Sequence, residues 1–142
     1  MRQAIEADRD KLKADGLKVF RPCVFFLTDG EPNDGDWNQV FKDTLTYDAA
    51  TGTGMRSYPI FVPFGFRQAQ EEVMKKLAYP RDRGKWFLAT RTDPESAVRG
   101  ILDLVRRTVM VSSQQVGTGK AANGIADPEP GSGIVSGESE YI

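Results

Sequence analysis

The chain of 142 residues is long enough for one domain. It is 39% hydrophobic and has a formal net charge of −1, so it has no bulk attraction to nucleic acid or an anionic membrane. It contains no histidine and a single cysteine. This excludes Ser/His and Cys/His nucleophile pairs, His-ligated zinc, an internal disulfide and a Cys-x-x-Cys site.

Residues 2–15 predict an amphipathic helix, with Ala4, Ile5, Ala7 and Leu12 on one side and Gly16 at its end. The charged start has no signal-peptide pattern, which predicts a cytoplasmic chain. No apolar run approaches the ~18 residues of a membrane span. Residues 19–28, VFRPCVFFLT, predict a strand. Cys23 to Leu27 is apolar at every position, the pattern of a strand buried on both faces in a parallel sheet. Cys23 is therefore expected to be an inert core thiol.

Asp36 to Tyr47 predicts a second helix with Trp37, Val40, Phe41 and Leu45 inward and a capping box of Asp36 and Gln39. A Gly/Thr-rich loop, DAATGTGM, follows. Residues 58–64, YPIFVPF, predict a second strand with prolines confining its hydrogen bonding. RQAQEEVMKKLA then predicts a third helix, with Ala69, Val73, Met74 and Leu77 inward. KWFLA, 85–89, predicts a third strand. Thr92 to Glu95 reads as a capping box with proline in the first turn. It opens a helix bearing Val98, Ile101, Leu102, Val105 and Val109 on one stripe. The alternation of helix and strand implies three parallel strands with right-handed crossovers. Residues 111–142 are rich in Gly, Ser and Pro and poor in large apolar side chains, which predicts a disordered acidic tail behind a folded unit of residues 1–110.

Ligands of open parallel α/β sheets bind beyond the carboxyl ends of the strands. Asp29 stands at such an end, with Thr28 beside it and Gly30 after it. Carboxylate and hydroxyl oxygens suit Mg²⁺, Mn²⁺ or Ca²⁺. An EF-hand does not fit, because counting from Asp29 places Asp34 where glycine is required and Val40 where glutamate is required. Glu31, Asp34 and Asp36 are expected to solvate a turn and cap a helix.

An apolar strand ending in LTDGEPND, an aromatic-led helix, then PIFVPFG and another helix, resembles the C-terminal half of a von Willebrand factor type A domain. Its nearest likeness is the bacterial tellurium-resistance-like group. The resemblance implies a doubly wound, Rossmann-like α/β sandwich. It also implies a protein-binding module whose metal site, in complete relatives, accepts an acidic side chain from a partner protein. Asp29, with Thr28, matches one part of that metal site. The D-x-S-x-S loop and the further threonine of the family are missing from this chain. The resemblance therefore implies half a domain, an incomplete metal site with weak or absent Mg²⁺ binding, and an apolar strand edge open to another chain. The loop at 30–37 and the TGTG loop at 51–54 are expected around the rim of the site.

Two other readings compete with the binding module. One is a nonfunctional or structural remnant of such a module. The other is a metal-assisted hydrolase, which needs several converging carboxylates. Arg67, Arg81 and Arg83 are its candidate basic groups, with nothing in the sequence to place them. Neither a P-loop nor a dinucleotide fingerprint is present.

Overall fold

A computed structural model of the chain describes residues 1–30, 33, 35–90, 93–119 and 124–139. The elements in order are α1 (Arg2–Ala14), β1 (Cys23–Thr28), α2 (Trp37–Leu45), β2 (Tyr47–Asp48), β3 (Thr53–Gly54), β4 (Ile60–Gly65), α3 (Glu71–Leu77), β5 (Lys85–Ala89), α4 (Pro94–Gly117) and β6 (Ile134–Glu138). The main sheet has the strand order β1-β4-β5-β6. β1, β4 and β5 run parallel, and β6 is antiparallel to β5. The fold is a mixed α/β sandwich with a mostly parallel four-stranded sheet flanked by helices.

The faces of the sheet follow from the period of two along each strand. On β4, Ile60, Val62 and Phe64 face one way and join Phe87, Ile101 and Leu104 in a cluster under α4. Phe61 faces the other way and joins Phe41, Leu45, Met74, Leu77 and Trp86 under α2 and α3. β4 is buried at all of its positions, as a central strand flanked on both faces should be. Phe64 stacks on Phe87 with centroids 4.9 Å apart, and Phe41 meets Phe61 edge-on at 5.0 Å.

Pro63 lies within this central strand rather than at its end. Phe61 donates its N–H to the Tyr79 carbonyl at 2.7 Å, whereas the pairing of β4 with β5 begins only at Phe64↔Phe87. Backbone direction alternates, so the N–H that Pro63 lacks would point to the same side as that of Phe61. The proline falls where the partner on that side changes from Tyr79 to β5, so no ladder bond is lost there.

β1 is the edge of the sheet, and it departs from the burial on both faces expected of its apolar run: Phe26 and Leu27 are 36% and 43% exposed. An unbroken apolar run is consistent with burial on both faces, but here the side away from β4 has no neighbouring strand among the described residues. Cys23 is likewise exposed and not a core residue. Desolvation nonetheless pushes its thiol up to about 12, so it stays protonated and poorly nucleophilic at neutral pH.

The chain beyond residue 110 also differs from the expected disorder. α4 continues to Gly117, and residues 134–138 form β6. The strand satisfies the outer edge of β5 along Lys85↔Glu138 to Ala89↔Ile134. Ile134 packs on the α4 cluster, the Trp86 indole N–H donates to the Glu138 carbonyl at 3.1 Å, and Ser139 donates to the Ala78 carbonyl. Ladder bonds and two anchors offset the ordering cost that composition alone had weighed. Among the described residues, no helix is long and apolar enough to cross a membrane.

The helix starts differ in smaller ways. Asp36 makes no side-chain capping bond, and Gln39 instead donates to Asp43 at 2.8 Å. At α4 the cap is Asp93, whose carboxylate accepts the Ser96 N–H at 3.0 Å. Thr92, expected to open that helix, lies outside the described residues. α1 has no buried residue; Ile5 rests on the α2/α3 cluster and Leu12 is 41% exposed.

Candidate functional site

β1 and β4 are parallel neighbours, so their exit turns lie side by side. The Phe66 N–H donates to the Thr28 carbonyl at 3.0 Å, and the Gln68 N–H to the Asp29 carbonyl at 3.2 Å. These bonds fix the turn after β4 against the turn after β1. Arg67, between them, has φ +57, in the left-handed region that non-glycine residues seldom occupy. In this position its guanidinium lies 3.5 Å from the Asp29 carboxylate. The two side chains are 56% and 60% exposed, so the pair contributes at most about 1 kcal/mol. Asp29, Gly30, Arg67 and Gln68 line one shallow hollow.

Thr28 is beside Asp29, and its hydroxyl donates to the Gly30 carbonyl at 3.3 Å. The expected pair of site residues is thus adjacent in space, and Arg67 joins them. Mg²⁺ takes about six oxygen ligands in near-octahedral geometry. The described residues provide one carboxylate, already facing a guanidinium, and one hydroxyl engaged with the backbone. That donor set does not fit a tightly held divalent cation. Among the described residues, no group of three His, Cys, Asp or Glu side chains converges on a common point. Glu31 and Asp34 lie outside the described residues, and Asp36 is exposed before α2.

The other candidates stand elsewhere. α2 runs back across the sheet, so the segment at 47–54 emerges at the amino ends of the strands, away from Asp29. It is a β2–β3 hairpin and not part of the expected rim. The Asp48 carboxylate accepts the Ala50 N–H at 2.8 Å and the Thr51 hydroxyl at 2.8 Å. The Thr51 bond, followed by that from Ala50, holds its pKa below the ordinary value. Tyr79 ties the hairpin down, donating to the Tyr47 carbonyl and accepting its N–H, both at 3.1 Å. Arg83 lies at this end as well, 3.5 Å from the Tyr58 hydroxyl, and Arg81 lines a hollow with Tyr47 and Asp48. Neither is part of the Asp29 hollow.

A further unassigned surface is β1 itself. The Pro22 carbonyl accepts from Ile60 N–H at 2.8 Å, and the Thr28 carbonyl accepts from Phe66 N–H. Backbone direction alternates along a strand, so Pro22, Val24, Phe26 and Thr28 address β4, whereas Cys23, Phe25 and Leu27 turn their N–H and C=O groups outward. An apolar groove flanks each face of this edge. One, of about 460 Å³, lies under α4 and is lined by Cys23, Phe25, Ile60, Val109 and Val116. The other, of about 650 Å³, lies beside α2 and is lined by Phe26, Trp37, Val40, Phe41 and Phe61.

No protein family, curated protein or solved structure matches this chain. The class defined by the fold is the α/β sandwich with a mostly parallel sheet whose two edges are β1 and β6.

Proposed function

We propose that the chain is a noncatalytic protein-binding module of the von Willebrand factor A type, and that it takes its partner along the open edge of β1. The observation that carries this reading is that edge. An apolar strand leaves the backbone groups of Cys23, Phe25 and Leu27 outward, between two apolar grooves. A row of unpaired strand groups is a template for another strand. The metal-dependent mode implied by the resemblance is not assigned to this chain, because Arg67 meets the Asp29 charge and, among the described residues, too few oxygen donors stand beside it. Among the described residues, no carboxylates converge on the hollow at Asp29 as a two-metal hydrolase requires.

A photo-crosslinking amino acid at Leu27, compared with the same probe at Val135 on the opposite edge, tests this reading in the source cells. A defined protein adduct from position 27 and not from 135 is expected. Equal adducts from both positions, or none from 27, would reject the β1 edge as the binding surface.

A further inference from the structure

Resting on the reading of β1 as a binding edge, we infer that its partner is a second copy of this chain, paired antiparallel through β1 with Phe25 opposite Phe25. The two sheets then join into one across a twofold axis normal to the sheet, an isologous contact of the commonest kind.

The register is chosen by three features of the edge. In an antiparallel pair, only residues that turn their backbone groups toward the partner exchange hydrogen bonds. With Phe25 opposite itself, Cys23 falls opposite Leu27, and every outward N–H and C=O of these three residues finds a partner. Shifting the register by two positions leaves one of the three without its counterpart inside the strand.

Charge agrees with the same register. Lys18 and Arg21 precede the strand and Asp29 follows it. The antiparallel arrangement places Arg21 of each copy opposite Asp29 of the other. A parallel partner of the same sequence would put like charges together at each end. Arg21 and Asp29 are both exposed. Within one chain the Arg21 guanidinium donates to the Tyr58 carbonyl at 2.8 Å and lies 3.7 Å over its ring, and Asp29 faces Arg67, so pairing across the copies exchanges these solvent-exposed contacts for Arg21–Asp29. The pairing also keeps side-chain faces in common. Phe25 meets Phe25 beside the groove under α4, and Val24 meets Phe26 beside the groove at α2, so both apolar faces of the edge are covered at once.

The full chain with Leu27→Cys provides a geometric test. Residues opposite each other in a hydrogen-bonded antiparallel pair have Cα atoms about 5.5 Å apart. That lies within the roughly 4.4–6.8 Å that a disulfide spans. Within one chain, positions 23 and 27 of a strand are roughly 13 Å apart and cannot join. With oxidised glutathione, at alkaline pH and over a long incubation that offset the raised pKa of Cys23, Leu27→Cys is expected to give a covalent dimer through Cys23 of the other copy, and the Cys23→Ser/Leu27→Cys double variant is expected to give none. Equal dimer in both variants, or none in either, overturns the register.

Sedimentation velocity of the unmodified chain reads the dimer without a new cysteine. Leu27→Pro removes only an outward N–H, so it leaves the β4 ladder intact and should weaken association about tenfold or more. Arg21→Glu should weaken it too, and adding Asp29→Arg should restore it. Loss in the single variant without recovery in the double overturns the charge pairing. Amide exchange at Cys23, Phe25 and Leu27, followed against concentration, separates the two readings. Fast exchange when dilute and protection when concentrated support self-pairing. Fast exchange at every concentration in a monomeric chain overturns self-pairing but leaves the edge open to another partner. Slow exchange in the dilute monomer rejects the open edge itself.

Discussion

The Arg67 guanidinium stands 3.5 Å from the Asp29 carboxylate. Both groups are more than half exposed, so their attraction is screened and neither is needed for folding. Calorimetric titration with Mg²⁺ or Mn²⁺ is expected to show no micromolar site in the unmodified chain. Arg67→Gln is expected to show none either, because removing the guanidinium adds no oxygen ligands. Each of Asp29→Ala and Arg67→Gln should change unfolding free energy by about 1 kcal/mol or less. A micromolar site that disappears in Asp29→Ala would restore the metal-dependent reading.

The backbone of Gly137 passes flat against Trp86. A Cβ added there would meet the indole Cζ2 at 2.5 Å and Nε1 at 2.7 Å. The indole is rigid and 5% exposed, and its N–H is held by the Glu138 carbonyl, so it cannot easily yield. Gly137→Ala should therefore cost about 1–3 kcal/mol, read as a lower urea midpoint. Amide exchange should then rise along β6 and not along β1. An unchanged midpoint would mean that β6 does not hold its place against Trp86.

Phe87 is 1% exposed and stacks on Phe64 at an interplanar angle of 12°. The two rings join β4, β5 and α4 in one cluster. Truncation to Phe87→Ala should cost about 3–5 kcal/mol, a large share of the ~5–15 kcal/mol typical of a domain. The expected outcome is a poorly folded protein at 37 °C with a broad or absent thermal transition. The contrasting variant Leu102→Ala, at a side chain 60% exposed on α4, should shift the transition little.

These residues also show what the sequence made legible. β5 was predicted with its observed bounds, 85–89, and β4 within about two residues, because apolar runs between turn signals can bury both faces. Cys23–Leu27 has the same pattern, yet β1 is only partly buried, because composition records what a strand can bury and not what covers it. β6 was missed because Ile134–Glu138 contains Ser136 and Gly137, and the value of Gly137 lies in its close approach to Trp86. The strands of the 47–54 hairpin are two residues each, too short for any period to appear. That Thr28 and Asp29 stand at the end of a strand was legible in the sequence. Arg67 was not, since it reaches Asp29 only because β1 and β4 are neighbours and because its own backbone takes a positive φ.

Asp93 gives α4 a dependence on acid. Its carboxylate accepts the Ser96 hydroxyl at 2.7 Å and the Ser96 N–H at 3.0 Å, and these bonds, the hydroxyl first, lower its pKa from 3.8. A carboxyl whose pKa is lower in the folded chain binds fewer protons there than when unfolded. Its stabilisation is thus fully present above the unfolded value of 3.8 and is lost as pH falls through the depressed folded value. Asp93→Asn keeps an oxygen acceptor for the cap but cannot titrate, and it loses the favourable charge at the helix start. At neutral pH the original chain should be more stable than Asp93→Asn by urea unfolding. That difference should shrink steadily below pH 3.8, at moderate salt and where both chains still fold. A difference that stayed constant into acid would show that the cap does not depend on the carboxylate charge.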